Sequence, residues 1–280
     1  MTTIGINTLV YMDALRDGTP QSELLARIAS HGITLAEVRR EYITGDGEID
    51  AIAQAARNNH LTLFYSVPEP LGVDGAANPR LTEFLDEAEH MGAVNVKFNQ
   101  GDIAEASPET IRSINEAAAA HKVTLSVEND QTPENGPLAG TANTLTHIAE
   151  AGGHIGYTFD LGNWRWLDED PQTAFDRLLE HITIFHLKNV DSTENGPATT
   201  MLQNGASTGS PCCTGSPPPS PCFWNSPSPR SWSANRSTSY VKPSPNAEHA
   251  HQHKTTRAIV TARSSNVRSH DHRRTHGEPH

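Results

Sequence analysis

Residues 1 to 206 contain no cysteine; all three cysteines of the 280-residue chain lie beyond them. The absence removes thiolate from any metal site in this part and removes disulfides from its stability. No run approaches the ~20 apolar residues of a membrane span, and the chain opens Met1-Thr-Thr-Ile-Gly-Ile rather than with a charged segment and an apolar one. These two absences point to a cytoplasmic chain with no membrane partner. Positive charge is scarce: residues 1 to 206 carry 12 Lys and Arg against 30 Asp and Glu, a net charge near −18. That balance argues against nucleic acid as a partner, since phosphate binding draws on clustered cations. No Gly-x-Gly-x-x-Gly follows the first apolar run, so the dinucleotide-binding fingerprint is missing too.

What is present is a repeated unit. Val123-Thr-Leu-Ser-Val-Glu128 is an apolar, β-branched run that ends on a carboxylate and follows an alanine-rich helical segment. Ile155-Gly-Tyr-Thr-Phe-Asp160 ends on an aspartate and Ile182-Thr-Ile-Phe-His186 on a histidine. Runs that are apolar on both faces and bounded by turn signals suit buried parallel strands. Earlier strands are expected at 4–11, 33–38, 61–66 and 94–99, the third stopped by Val67-Pro-Glu-Pro70. Helices are expected at 21–30, 49–59, 79–91, 107–120, 141–151 and 171–180, with Gly32 and Gly92 as left-handed caps and Ser107-Pro108 as a capped start. Strand centres recur about every 30 residues, one βα unit with short loops. Strict alternation over seven units predicts an α/β fold of the (β/α)8 TIM barrel type.

In a barrel the strand C-termini form one face, which brings Glu128, Asp160 and His186 together. Two carboxylates and an imidazole suit a divalent ion, manganese, magnesium, cobalt or zinc, with positions left open for substrate oxygens. Arg40, Glu41, Lys97 and Lys188 lie at or just past strand ends, where they could hold substrate oxygens or phosphate; Trp164 and Trp166 could wall the site.

These residues carry a resemblance. Gly5-Ile-Asn-Thr-Leu-Val-Tyr11, Glu37-Val-Arg-Arg-Glu41, Phe64-Tyr-Ser-Val-Pro-Glu69, Ser126-Val-Glu-Asn129, Phe159-Asp-Leu-Gly-Asn163 and His186-Leu-Lys188 resemble the sugar phosphate isomerase/epimerase family, the xylose-isomerase-like TIM barrels, over residues 4 to 206. The resemblance implies a divalent metal held by Glu128, Asp160, His186 and a further glutamate on the eighth strand. It implies proton transfer on a small sugar or sugar-like hydroxy-carbonyl substrate, with Glu128 as one of two catalytic carboxylates. Epimerases of the family often place a histidine three residues after the aspartate; here that position, a substrate-binding candidate, is Asn163. A dehydratase acting on a sugar acid or inosose needs the same metal and base. A homo-oligomer is compatible with an intact frame.

After Ala206 the resemblance stops. Residues 207 to 280 hold 3 acidic and 9 basic side chains, 10 of the 19 prolines and 7 of the 15 histidines. Their composition is that of a disordered segment. The barrel domain, 1–206, then lacks its last helix, strand and helix, and 207–280 reads as an out-of-frame tail. Phe223-Trp224-Asn225-Ser226 must be encoded TTY-TGG-AAY followed by a serine codon, normally TCN. Read from the third base of the phenylalanine codon, this gives leucine, glutamate, then phenylalanine or leucine. Pro221-Cys222-Phe223 gives two apolar residues just before them. A hidden strand carrying a glutamate is therefore encoded one frame away. The reading for the chain as written is an inactive product of an isomerase-type gene. His249-Ala-His-Gln-His253 lacks a packed scaffold and is no site candidate.

Overall fold

A computed structural model describes residues 3–45, 47–194, 196–200 and 222–224. The chain runs β1 (Ile4–Asn7), α1 (Met12–Arg16), α2 (Gln21–Ser30), β2 (Leu35–Arg39), α3 (Glu48–Asn58), β3 (Thr62–Val73), β4 (Ala76–Ala77), α4 (Leu81–Met91), β5 (Ala93–Gly101) and α5 (Pro108–Ala120). It continues through β6 (Thr124–Glu128), α6 (Leu138–Glu150), β7 (Ile155–Asp160), α7 (Asn163–Trp166), α8 (Pro171–Leu178), β8 (Ile182–Leu187), β9 (Asn189–Thr193), β10 (Gly196–Thr200) and β11 (Cys222–Trp224).

The local signals act as expected. Ser107 Oγ accepts from Thr110 N at 3.1 Å and Pro108 opens α5, which buries Ile111, Ile114 and Ala118. Asp170, a cap the sequence analysis did not name, accepts from Thr173 N at 2.8 Å at the start of α8. Gly32 and Gly92 close their helices at φ 74° and 73°. Among the described residues no helix is long and apolar enough to cross a membrane.

Seven strands, β1, β2, β3, β5, β6, β7 and β8, pair in parallel with helices alternating between them, an incomplete (β/α)8 barrel. After β8 comes the antiparallel β9–β10 hairpin, and among the described residues no helix follows. The open edges of β1 and β8 are bridged by β11. Cys222, Phe223 and Trp224 pair in parallel with Ile4, Gly5 and Ile6 on one side and with Phe185, His186 and Leu187 on the other. This corrects the expectation of a vacant eighth position, over three residues. A ladder asks only for extended backbone with its N–H groups in place, and Cys-Phe-Trp supplies that between prolines at 221 and 227. The disorder expected of the tail falls otherwise on residues outside those described.

A second correction concerns Pro68 and Pro70, which were expected to end the third strand. β3 runs on to Val73, and its register with β5 shifts between Ser66 and Pro70. A bulge absorbs residues that cannot donate to the ladder. The extension turns back through Asp74-Gly75, both at positive φ (52° and 69°), into β4. Beside it, a Cβ on Gly101 (φ 59°) would lie 2.3 Å from Gly72 O. Replacing Gly101 by Ala should therefore lower stability by about 1–3 kcal/mol. Thermal unfolding checks this; an unchanged melting temperature would show that the two strands can part freely there.

Candidate metal centre

Glu128 closes β6, Asp160 closes β7 and His186 lies next to last in β8. Parallel pairing sets Asp160 level with His186 and Glu128 level with Asn99. One ligand atom from each of Glu128, Asp160 and His186 falls within 4.8 Å of the others, and all three residues are buried. The expected convergence is thus observed.

Charge balance dominates the surroundings. Lys97 Nζ donates to Glu128 Oε2 at 2.5 Å, and Lys188 Nζ lies 3.2 Å from Asp160 Oδ2. Both lysines are buried. His186 Nε2 lies 2.9 Å from Glu37 Oε2, while Nδ1 lies 3.6 Å from Glu128 Oε1. The Asp160 carboxylate also accepts from Gly162 N at 2.8 Å and Asn163 N at 3.2 Å, orienting it at the start of α7. Asn163 Nδ2 donates to Asn129 O at 2.8 Å and approaches Glu128 Oε1 at 3.4 Å; its Oδ1 accepts from Lys188 Nζ.

Burial alone would raise the Glu128 carboxyl; Lys97, the His186 hydrogen bond and Lys188 outweigh it and hold it well below the usual range. Glu37 is likewise held low against burial by His186, Lys97 and Arg39. Burial would lower His186, but Glu37 and Glu128 push it up to about 9.

The remaining candidates separate. Lys97, Lys188 and Asn163 touch the cluster. Glu41 is taken by Arg39, whose Nη2 lies 2.5 Å from its Oε1 and whose Nη1 donates to Ser66 Oγ at 3.0 Å. Arg40 pairs with α4, its Nε 2.8 Å from Glu87 Oε2. Trp164 is fully buried against Phe159, ring centroids 5.6 Å apart, so it packs the core beneath α7. Sequence reasoning assigned no role to Glu37 or Asn7. The signal for Glu37 was an acidic residue inside the apolar run Leu35-Ala-Glu-Val38.

The donor set fits a divalent cation. Two carboxylates and an imidazole supply hard oxygen and borderline nitrogen, and the carboxylates are buried where anions need a counter-charge. Without metal, His186 binds its proton more tightly folded (about 9) than unfolded (6.5), so its stabilising contribution is complete below pH 6.5 and is lost as pH rises through 9. Glu37 and Glu128, depressed below 4.5, contribute above that pH and lose their contribution as pH falls. In EDTA the melting temperature should peak between roughly pH 5 and 6.5; a rise from pH 7 to 10 would contradict these linkages.

No family model matches the sequence, and no curated protein matches it. Solved structures do match. An L-ribulose 3-epimerase superposes with TM-score 0.57 at 17% identity, over 81% of this chain and 82% of the other. A probable 3-DHS dehydratase from Bacillus anthracis gives 0.55 at 14%, over 73% and 85%. A xylose isomerase-like TIM barrel protein from Mycobacterium smegmatis, in complex with magnesium, gives 0.51 at 14%, over 73% and 82%. Seven parallel strands in ring order, a buried acid and histidine cluster at their ends, and these superpositions together give the chain the xylose-isomerase-like TIM barrel fold.

Proposed function

We propose that this barrel is built for metal-dependent proton transfer on a small hydroxy-carbonyl sugar or sugar phosphate, as an isomerase or epimerase. The observation that carries the reading is the buried Glu128, Asp160 and His186 cluster at the strand ends. A divalent ion held by these residues would polarise the carbonyl and hydroxyl oxygens of the substrate. Glu128 is the general base that takes the proton from carbon, kept ionised by Lys97. Lys188 and Asn163 hold substrate oxygens, and Asp160 keeps Lys188 in place. The site of action is the cytoplasm.

The dehydratase reading has one observation in its favour: Glu128 has an ammonium donor, Lys97, at 2.5 Å, a base beside an acid such as loss of water requires. Assaying a panel of ketoses, hydroxypyruvate and inososes with each metal separates the two by product.

An isomerase of this type needs a second carboxylate on the opposite face of the substrate, and the frame-shift reading says where it went. β11 occupies the eighth-strand position with the codons whose other frame encodes apolar, apolar, Leu, Glu. With one base added upstream, that glutamate takes the place now held by Asn225, two residues past Phe223, which pairs with His186.

Four results are expected. Sequencing the gene shows an open alternate frame from about codon 206 for about 60 residues, one to two βα units; early stops in that frame would remove the idea. In the frame-restored protein, His186→Ala lowers metal affinity measured by calorimetry, and Glu128→Gln lowers turnover by about 10²–10⁴. The chain as written turns over substrate negligibly beside the restored one; equal, metal-dependent activity from both would refute this reading.

A further inference from the structure

Glu37 lies outside the three-residue cluster, yet it is fully buried and faces the histidine of that cluster. Its Oε2 accepts from Asn7 Nδ2 of β1 at 2.8 Å and lies at ion-pair distance, 2.9 Å, from His186 Nε2. Asn7 is itself fixed, because its Oδ1 accepts from Leu9 N at 2.8 Å in the turn after β1. That leaves its amide nitrogen, and no other atom, to face Glu37. The other Glu37 oxygen, Oε1, is buried and has no hydrogen-bond donor among the described residues.

The imidazole therefore presents its two nitrogens to different carboxylates. Nε2 faces Glu37, on the side away from the cluster; Nδ1 faces Glu128 Oε1 at 3.6 Å, on the cluster side. A neutral imidazole has one N–H and one lone pair, and a carboxylate can only accept. A proton shared with Glu37 must sit on Nε2, which leaves the lone pair on Nδ1.

We infer that Glu37 is a positioning residue which, by accepting the Nε2–H of His186, fixes the ring tautomer and presents Nδ1 as the donor to a metal held with Glu128 and Asp160. The inference rests on the metal-binding reading above and extends it by naming the nitrogen and the group that selects it. The reach is long in sequence and short in space: Asn7 and Glu37 come from β1 and β2, which pair directly, and His186 from β8, which stands next to β1 but one, with β11 between them. Metal-binding histidines are commonly held through their second nitrogen in this way, and loss of the partner costs about 10–100-fold in metal affinity.

The test uses the full 280-residue chain and three variants: Glu37→Met, which removes the acceptor at similar volume, Glu37→Gln, which keeps an acceptor oxygen but not the charge, and Asn7→Ala. Calorimetry with Mn²⁺ and with Zn²⁺ reads affinity. ¹⁵N NMR of the metal-free protein at pH 10, where His186 is neutral, reads the tautomer. The expected result is an Nε2–H ring in the parent and in Glu37→Gln, with affinity in Glu37→Gln within about tenfold of the parent. In Glu37→Met the Nε2–H preference is lost and affinity falls about 10–100-fold, with Asn7→Ala between the two. A purely structural role would lower the melting temperature of all three while leaving tautomer and affinity alone, and that pattern overturns the inference. So would an Nδ1–H ring in the parent. If the parent binds neither ion while its ring is Nε2–H and responds to Glu37→Met, the metal reading fails and the tautomer control stands.

Discussion

Every feature of the candidate site follows from one constraint: carboxylates that sit where water cannot reach them must be matched by positive charge. Glu128 has Lys97 from the neighbouring strand, Asp160 has Lys188 just past the end of β8, and Glu37 has His186 across β1 and β11. Removing one partner of such a pair costs about 3–5 kcal/mol, because the other charge is left buried alone. The lysines occupy the carboxylate oxygens that a cation would share. A cation entering here would have to displace part of an existing set of ion pairs.

The barrel supplies those pairings because its strands are parallel and end at one face. Asp160 and His186 stand level in adjacent strands, and Lys97, midway along β5, reaches Glu128 at the end of β6. Closure matters as much as alignment. The contact of His186 with Glu37 spans the seam between β8 and β2, which the short β11 and β1 bridge. Among the described residues that bridge is made by Cys222, Phe223 and Trp224, paired in parallel on both sides.

Much of this was written locally. The 30-residue recurrence, the capped helix start at Ser107, the glycine stops and the apolar runs ending on Glu128, Asp160 and His186 depend only on neighbouring residues, so the alternation and the cluster could be read directly. Where local rules erred, a partner strand decided. The prolines at 68 and 70 end an isolated strand, but a bulge beside β5 carries β3 past them. Cys222–Trp224 has no strand signal in its Pro- and Ser-rich surroundings until two open edges offer it backbone partners.

The same division runs through the site. The sequence by itself determined which residues end the strands, hence the donor chemistry of two carboxylates and an imidazole, since strand period and turn residues are properties of short segments. Only the tertiary structure decided what each polar side chain faces. Arg40 turned to Glu87 on α4, Trp164 went into the core and Glu41 was taken by Arg39. Glu37 became the partner of His186, from a residue 149 positions away in the chain. The physical reason is that a charged side chain near a strand end has several partners within reach, and burial and register, which depend on the closed sheet, choose among them.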